Sequence, residues 1–207
     1  MNKQQLLQNA KPILFNTDMV QAILDGRKTA TRRVVKPQPK YQLKQKTNSL
    51  PHDWFEYSEH PYADYVSKSN WGLGIHSKYA VGDILYVRET WAIDEQMPYD
   101  NYIYRTDEII PSSISKWKPS IHMPKEAARI FLRITGVRVE RLQGITEEQA
   151  KAEGFINNVM RDNGSSASKK FSLLWNSTIK KQDIDQYGWN ANPWIWVYEF
   201  ERIEVDD

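Results

Sequence analysis

Apolar rhythm is clear in some stretches of the chain and absent from others. Ile13-Leu14-Phe15 closes a polar lead-in and predicts a first strand. Behind it Met19, Val20, Ile23 and Leu24 recur at helical spacing. Asn16 or Thr17 can cap that helix, Asp18 suits its first turn, and Gly26 stands where a C-terminal cap belongs. After the turn signal Val81-Gly82-Asp83, the run from Ile84 to Trp91 predicts a strong strand with Leu85, Val87, Glu89 and Trp91 on one face. Further strands are expected over 128–135 and 137–142, divided by Gly136, and a long closing strand over Trp194–Ile203. Thr146 and Gln149 form a capping box with two acids in the first turn, opening a helix that Gly154 should end. Phe171 to Asn176 suits another helix turn.

Three segments, 36–80, 94–128 and 156–192, lack periodicity and read as insertions in one domain spanning 1–207. The 207 residues are 40% hydrophobic, enough for a single core. The order of elements predicts an α+β fold: a small, mostly antiparallel β-barrel with short flanking helices and long inserted loops.

Composition narrows the chemistry. There is no cysteine, which excludes disulfides, thiolate metal sites and a Cys nucleophile. A net charge of +2 means that any nucleic-acid affinity must come from local clusters. The start lacks a secretory pattern, and no window approaches the ~18 apolar residues of a membrane span, so a soluble, cytoplasmic protein without membrane partners is expected. No His/Asp/Glu spacing suits a metal, and neither a P-loop nor a dinucleotide-binding glycine pattern is present, so no metal and no cofactor are expected. Eight Trp and eleven Tyr exceed what such a core hides, so some should line a cleft.

The strongest candidate for chemistry is Gly26-Arg27-Lys28-Thr29-Ala30-Thr31-Arg32-Arg33, four cations and two hydroxyls at a helix exit. Such a run is ordinarily a solvated last turn that complements the helix dipole. The threonines add a second reading, because a Thr hydroxyl becomes a nucleophile when a neighbour takes its proton, and Lys28 among Arg27, Arg32 and Arg33 has the cationic surroundings that lower an amine's pKa. Geometry sets a condition. Residues 28 and 31 share a face in a turn and oppose each other in a strand, so the mechanism requires a turn. Thr29 is the weaker nucleophile. Glu153, near the end of the capping-box helix, is the candidate acid or orienter. Arg88 and Glu89 would approach a cleft from their strand or form a rim salt bridge to Arg32 or Arg33, and Trp91, Trp117, Trp194 and Trp196 are divided between core and platform.

The blocks 26–32, Gly82-Asp83-Ile84-Leu85-Tyr86-Val87, Ile145 to Glu153 and the aromatic closing strand, in that order, resemble the ASCH domain, a relative of the PUA fold. The form Gly-Arg-Lys-Thr-x-Thr-Arg-Arg is closest to ASCH proteins of phages and prophages. The resemblance implies a PUA-like barrel whose cleft accepts RNA or a modified nucleoside. Some small bacterial members are amidohydrolases that deacetylate N4-acetylcytidine with a Lys, a Thr and a Glu, which by motif fall on Lys28, Thr31 and Glu153. Arg27, Thr29, Arg32, Arg33, Arg88, Glu89 and Trp91 would then contact substrate, with Arg32 or backbone N–H groups near Gly26 stabilising the oxyanion. This chain is about twice the length of those enzymes. Three functions therefore stand: a nucleoside amidohydrolase, a single-stranded RNA nuclease, and a non-catalytic RNA-binding module whose groove would use Lys36, Lys40, Lys44 and Lys46.

Overall fold

The structure is a computed structural model that describes residues 2–39, 43–45, 54–57, 74–96, 102–155 and 165–205. In chain order the main elements are α1 (Lys3–Asn9), β1 (Lys11–Leu14), α2 (Thr17–Leu24), β2 (Ala30–Val34), β3 (Leu43–Gln45), β4 (Trp54–Tyr57), β5 (Gly74–His76), β6 (Ile84–Arg88), β7 (Trp91–Ile93) and β8 (Tyr102–Tyr104). They continue with β9 (Phe131–Arg141), α3 (Glu147–Ala152), α4 (Ala167–Thr178), α5 (Ile184–Tyr187) and β10 (Trp194–Ile203). Five strands form the main sheet in the order β1-β6-β9-β10-β2, with a three-stranded β3-β4-β5 sheet and a β7-β8 pair besides. β1 runs parallel to β6, while β6 with β9 and β10 with β2 are antiparallel.

The class is therefore α+β with a mostly antiparallel sheet. Among the described residues no pairing closes that sheet into a barrel: β1 and β2 stand at its two ends. The chain divides into two compact units, one of Met1–Lys28, Asp83–Arg133 and Glu201–Asp207, the other of Thr29–Gly82 and Ile134–Phe200. In the first, Leu6, Tyr86, Trp91, Tyr104, Met123 and Phe131 pack as a core. In the second, Leu142, Ile145, Ala150, Phe171 and Trp175 cover Ile195 and Val197 of β10.

Local chemistry accounts for the elements. Asn16 caps α2 by accepting from the Met19 N–H at 2.8 Å, and Gly26 follows the helix at φ +71°, where a side chain would be strained. Thr146 and Gln149 close their capping box on α3. Three departures have physical causes. The polar lead-in is a helix, α1, capped by Asn2 and burying only Leu6, so it carries no apolar period. The strand expected over 84–91 breaks between Arg88 and Trp91, and β7 turns to pair with β8. Gly136 does not interrupt β9. A Cβ there would lie 2.7 Å from Glu199 Oε2, so glycine makes room for a side chain on β10.

Candidate functional site

In the second unit, β2 pairs with β10 in a register that sets Thr31 opposite Tyr198, Arg32 opposite Val197 and Arg33 opposite Trp196. Strand alternation gives Thr31 and Arg33 one face and Arg32 the other. Thr31 is fully buried. Arg33 folds back along its own strand, its Nη1 donating to Thr31 Oγ1 at 2.8 Å and to the Arg32 carbonyl at 2.9 Å. Burial pulls the Arg33 guanidinium below its usual range, with Glu153 and the Tyr79 and Tyr198 hydroxyls opposing the shift. Arg32 is 3% exposed and bridges two carboxylates, Glu153 at 3.1 Å through Nη1 and Glu140 at 2.9 Å through Nη2. Its Nε is buried with no hydrogen-bond partner among the described residues.

Glu153 is the C-terminal cap of α3, held there by its own N–H donating to the Gln149 and Ala150 carbonyls, and Gly154 follows at φ +100°. The Thr29 N–H donates to the Ala152 carbonyl at 2.9 Å, tying the start of β2 to the end of the helix that presents Glu153. Thr31, Arg33 and the Arg32–Glu153 pair are thus assembled within one unit, although Glu153 lies 121 positions from Arg32. The side chain of Thr29 is exposed.

The turn that the mechanism requires across 28–31 ends early. Gly26 makes it, and from Ala30 the chain is strand, because β10 offers a complete ladder for β2 to join. Lys28 closes the first unit; its N–H and that of Arg27 both donate to the Ala22 carbonyl at 2.9 Å. It is 2% exposed, with Nζ 5.5 Å from the Phe15 ring centre. Arg27 pairs with Asp25 at 2.6 Å on the surface.

The remaining candidates fall in the first unit around a different arginine. Glu89, 1% exposed, takes Arg129 Nε on one oxygen and Arg129 Nη2 and the Thr106 hydroxyl on the other, each at 3.0 Å. Both oxygens are therefore engaged within this unit, by Arg129 and Thr106 rather than by the Arg32 or Arg33 envisaged from sequence. Arg88 donates to the carbonyls of Met123, at 3.0 Å, and Ile121. Trp91 is buried beneath the Lys118 ammonium, and Arg105 lies over Trp117 at 5.0 Å. Trp194 and Trp196 are each 7% exposed. Lys40 and Lys46 lie outside the described residues, and Lys44 is placed only as a β3 backbone position.

Sequence reasoning missed Tyr198 and Glu140. Tyr198 is 1% exposed, with its hydroxyl 2.9 Å from Ser77 Oγ; burial pushes its pKa up to about 12, against hydrogen bonds from Ser77 and the Lys78 backbone. The alternation of the closing strand was readable, but not the register that sets Tyr198 against Thr31. A pocket of about 360 Å³ elsewhere, lined by Asp94, Ser113, Lys116 and Lys118 among others, contains none of the candidate residues. No group of three or more His, Cys, Asp or Glu side chains among the described residues is placed to hold a metal ion, and no described helix is long and apolar enough to cross a membrane.

No family model and no curated protein matches the chain. Among solved structures it is similar to a protein from Enterococcus faecalis of the family DUF984, at 12% identity and a TM-score of 0.38, over 88% of this chain and 65% of that one. The chain thus spans slightly less than two thirds of that protein's length.

Proposed function

We propose that this is an ASCH-type, PUA-like barrel protein that binds RNA or a nucleoside and removes the acyl group from N4-acetylcytidine-like bases. One observation carries the reading: a fully buried threonine hydroxyl with a guanidinium 2.8 Å from its oxygen, in the unit that also buries Glu153 against Arg32. A threonine needs no arginine to be stable in a core. A donor aimed at its oxygen favours the alkoxide that forms as the proton leaves, and so favours nucleophilic attack.

Thr31 would attack the amide carbonyl and take the acetyl group; the cytosine amine would leave with a proton, and water would then hydrolyse the ester. The family resemblance gives the base role to Lys28, which is buried. Glu153, held by Arg32, is the candidate orienter or proton carrier. Arg33 replaces Arg32 as the cation beside the nucleophile, since Arg32 is engaged by Glu140 and Glu153. Contact with a polymer has its own support: Lys36 is exposed with Nζ 4.5 Å from the Tyr187 ring centre, a cation and an aromatic in reach of phosphate and base.

The test is incubation with N4-acetylcytidine and, separately, with labelled single-stranded RNA, using the wild type, Thr31→Ala and Lys28→Ala. Deacetylation lost in both variants is the expected result. Deacetylation that survives both substitutions refutes the mechanism, RNA cleavage in place of deacetylation favours the nuclease, and binding without turnover favours the module.

A further inference from the structure

We propose that the cavity between residues 93–96 and 113–118 binds a free α-amino acid whose side chain ends in an ammonium, of the lysine type, with that ammonium on Asp94. The inference stands apart from the deacylase reading. At about 360 Å³ the cavity falls within the range of small-molecule sites, about 300–1,000 Å³. Its lining lies entirely within the first unit. The Trp91 N–H and C=O are both taken by the Lys118 backbone, at 3.2 and 2.7 Å, so strand alternation turns the N–H and C=O of Ile93 to the same side, where none of residues 113–116 bonds them. The cavity opens where the two segments part.

Its floor is a carboxylate without a cation. Asp94 is 5% exposed, and no lysine or arginine among the described residues pairs with it. Its Oδ1 is filled, accepting from the Gln96 N–H at 3.1 Å and the Ser113 hydroxyl at 3.2 Å. Its Oδ2 has no hydrogen bond among the described residues, yet it is not one of the fully enclosed orphan atoms, which are Arg32 Nε, Trp91 Nε1 and Trp194 Nε1. The opening it keeps is the cavity that Asp94 lines. A carboxylate this deep is costly unless a cation meets it. One bare oxygen suits a compact ammonium, whereas the fork of a guanidinium calls for both oxygens. The Ile93 carbonyl faces the same side and can accept another ammonium hydrogen.

The remaining lining suits the remainder of such a molecule. Ile93 and Ile114, both partly buried, are apolar walls for a methylene stem. At the exposed rim Lys116 and Lys118 match an α-carboxylate and Glu95 an α-ammonium. Lys116 and Glu95 hold no ion pair among the described residues, and Lys118 Nζ lies 4.7 Å from the Trp91 ring centre. Charges of both signs also work against simpler ligands: a polyamine would meet two lysines with no anion to offer them, and a polyanion would meet Asp94 and Glu95.

The test titrates the full chain with L-lysine by calorimetry at neutral pH, beside L-norleucine, L-arginine and Nα-acetyl-L-lysinamide. Saturable one-site binding of L-lysine is expected. Asp94→Asn should weaken it by about tenfold or more, while its amide oxygen can still accept from Gln96 and Ser113 and hold the loop. L-Norleucine, which keeps the stem without the ammonium, should not bind, and L-arginine and the lysinamide should each bind several-fold more weakly than L-lysine. Absence of saturable L-lysine binding, or binding that Asp94→Asn leaves unchanged, overturns the proposal. L-Arginine that binds equally well overturns the assignment of an ammonium, and lysinamide that binds equally well overturns the free amino acid in favour of a lysine side chain on a peptide. Should Asp94→Asn fail to fold, Ser115→Trp on the exposed rim must block the cavity, and unaltered binding there is equally fatal.

Discussion

Each unit buries a glutamate against an arginine, and the two pairs are finished differently. In the first, Arg129 commits Nε and Nη2 to Glu89, Nη2 also to Thr106, and Nη1 to Asp107 at 2.6 Å, while its Cζ lies 3.9 Å from the Tyr104 ring centre. Burial disfavours the Arg129 charge, but Glu89 and Asp107 outweigh it and its pKa ends raised. Donors and acceptors close on one another. In the second, Arg32 keeps a buried Nε without a partner among the described residues, and burial outweighs Glu153 so that the Arg33 pKa ends lowered. A network that satisfies itself is a scaffold. One that leaves polar capacity buried, on the strand that also carries Thr31, has something left to give to a ligand.

The largest effect that would break this contrast is in the second unit. Thr31→Ala should lower the deacetylation kcat by about 10³-fold or more, equivalent to ~4 kcal/mol of barrier, and, because it also deletes a buried methyl and the acceptor of Arg33 Nη1, should cost only about 1–2 kcal/mol in urea unfolding. A Thr31→Ala protein that unfolds early and turns over normally would make the second network the scaffold.

Next comes the mirror experiment. Glu89→Ala strands Arg129, and removing one partner of a buried pair costs about 3 kcal/mol or more; Arg129 keeps Asp107 and is 31% exposed, so the low end of that range is the expected loss in urea unfolding. Activity per folded molecule should stay within about twofold. Activity lost at unchanged stability would return Glu89 to the candidate substrate contacts.

These two experiments probe what the chain showed plainly and what it hid. The helix caps at Asn16, Gly26 and Thr146 and the closing strand were legible because each follows from bonds within a few residues or from a long apolar run. The partner of Glu89 was not, since Arg129 is 40 positions away and no local pattern distinguishes it from any other strand-flanking arginine. Whether the Lys28–Thr31 stretch makes the turn its mechanism requires was not legible, because the ladder partner, β10, lies at the far end of the chain. The residue types at the candidate site were visible; their faces depended on register.

A smaller effect sharpens the account of Tyr198. Its pKa stands at about 12 in the fold against 10.0 for an unburied tyrosine, because burial disfavours the phenolate. The neutral phenol's contribution is complete below pH 10 and is lost as pH rises from 10 toward 12. A rise of that size is worth roughly 2–3 kcal/mol. Between pH 9 and about 12, wild type should therefore lose that much stability relative to Y198F, which has nothing to ionise at that position. Parallel losses in the two proteins would mean that the phenol is not held neutral by burial.

The smallest effect concerns the helix that carries Glu153. Thr146 Oγ1 accepts from the Gln149 N–H at 3.2 Å, and the Gln149 amide oxygen accepts from the Thr146 N–H at 3.0 Å. Losing such a cap costs about 1 kcal/mol, and α3 has only 6 residues over which to absorb it. Thr146→Ala should lower stability by that amount in urea, and Thr146→Ser should restore most of it. Glu153 sits at the other end, fixed by its own N–H bonds to Gln149 and Ala150 and by Arg32. If those bonds are what set its position, kcat in Thr146→Ala stays within about twofold while stability falls. A kcat that falls with the cap would mean that the helix, rather than the arginine, holds the carboxylate.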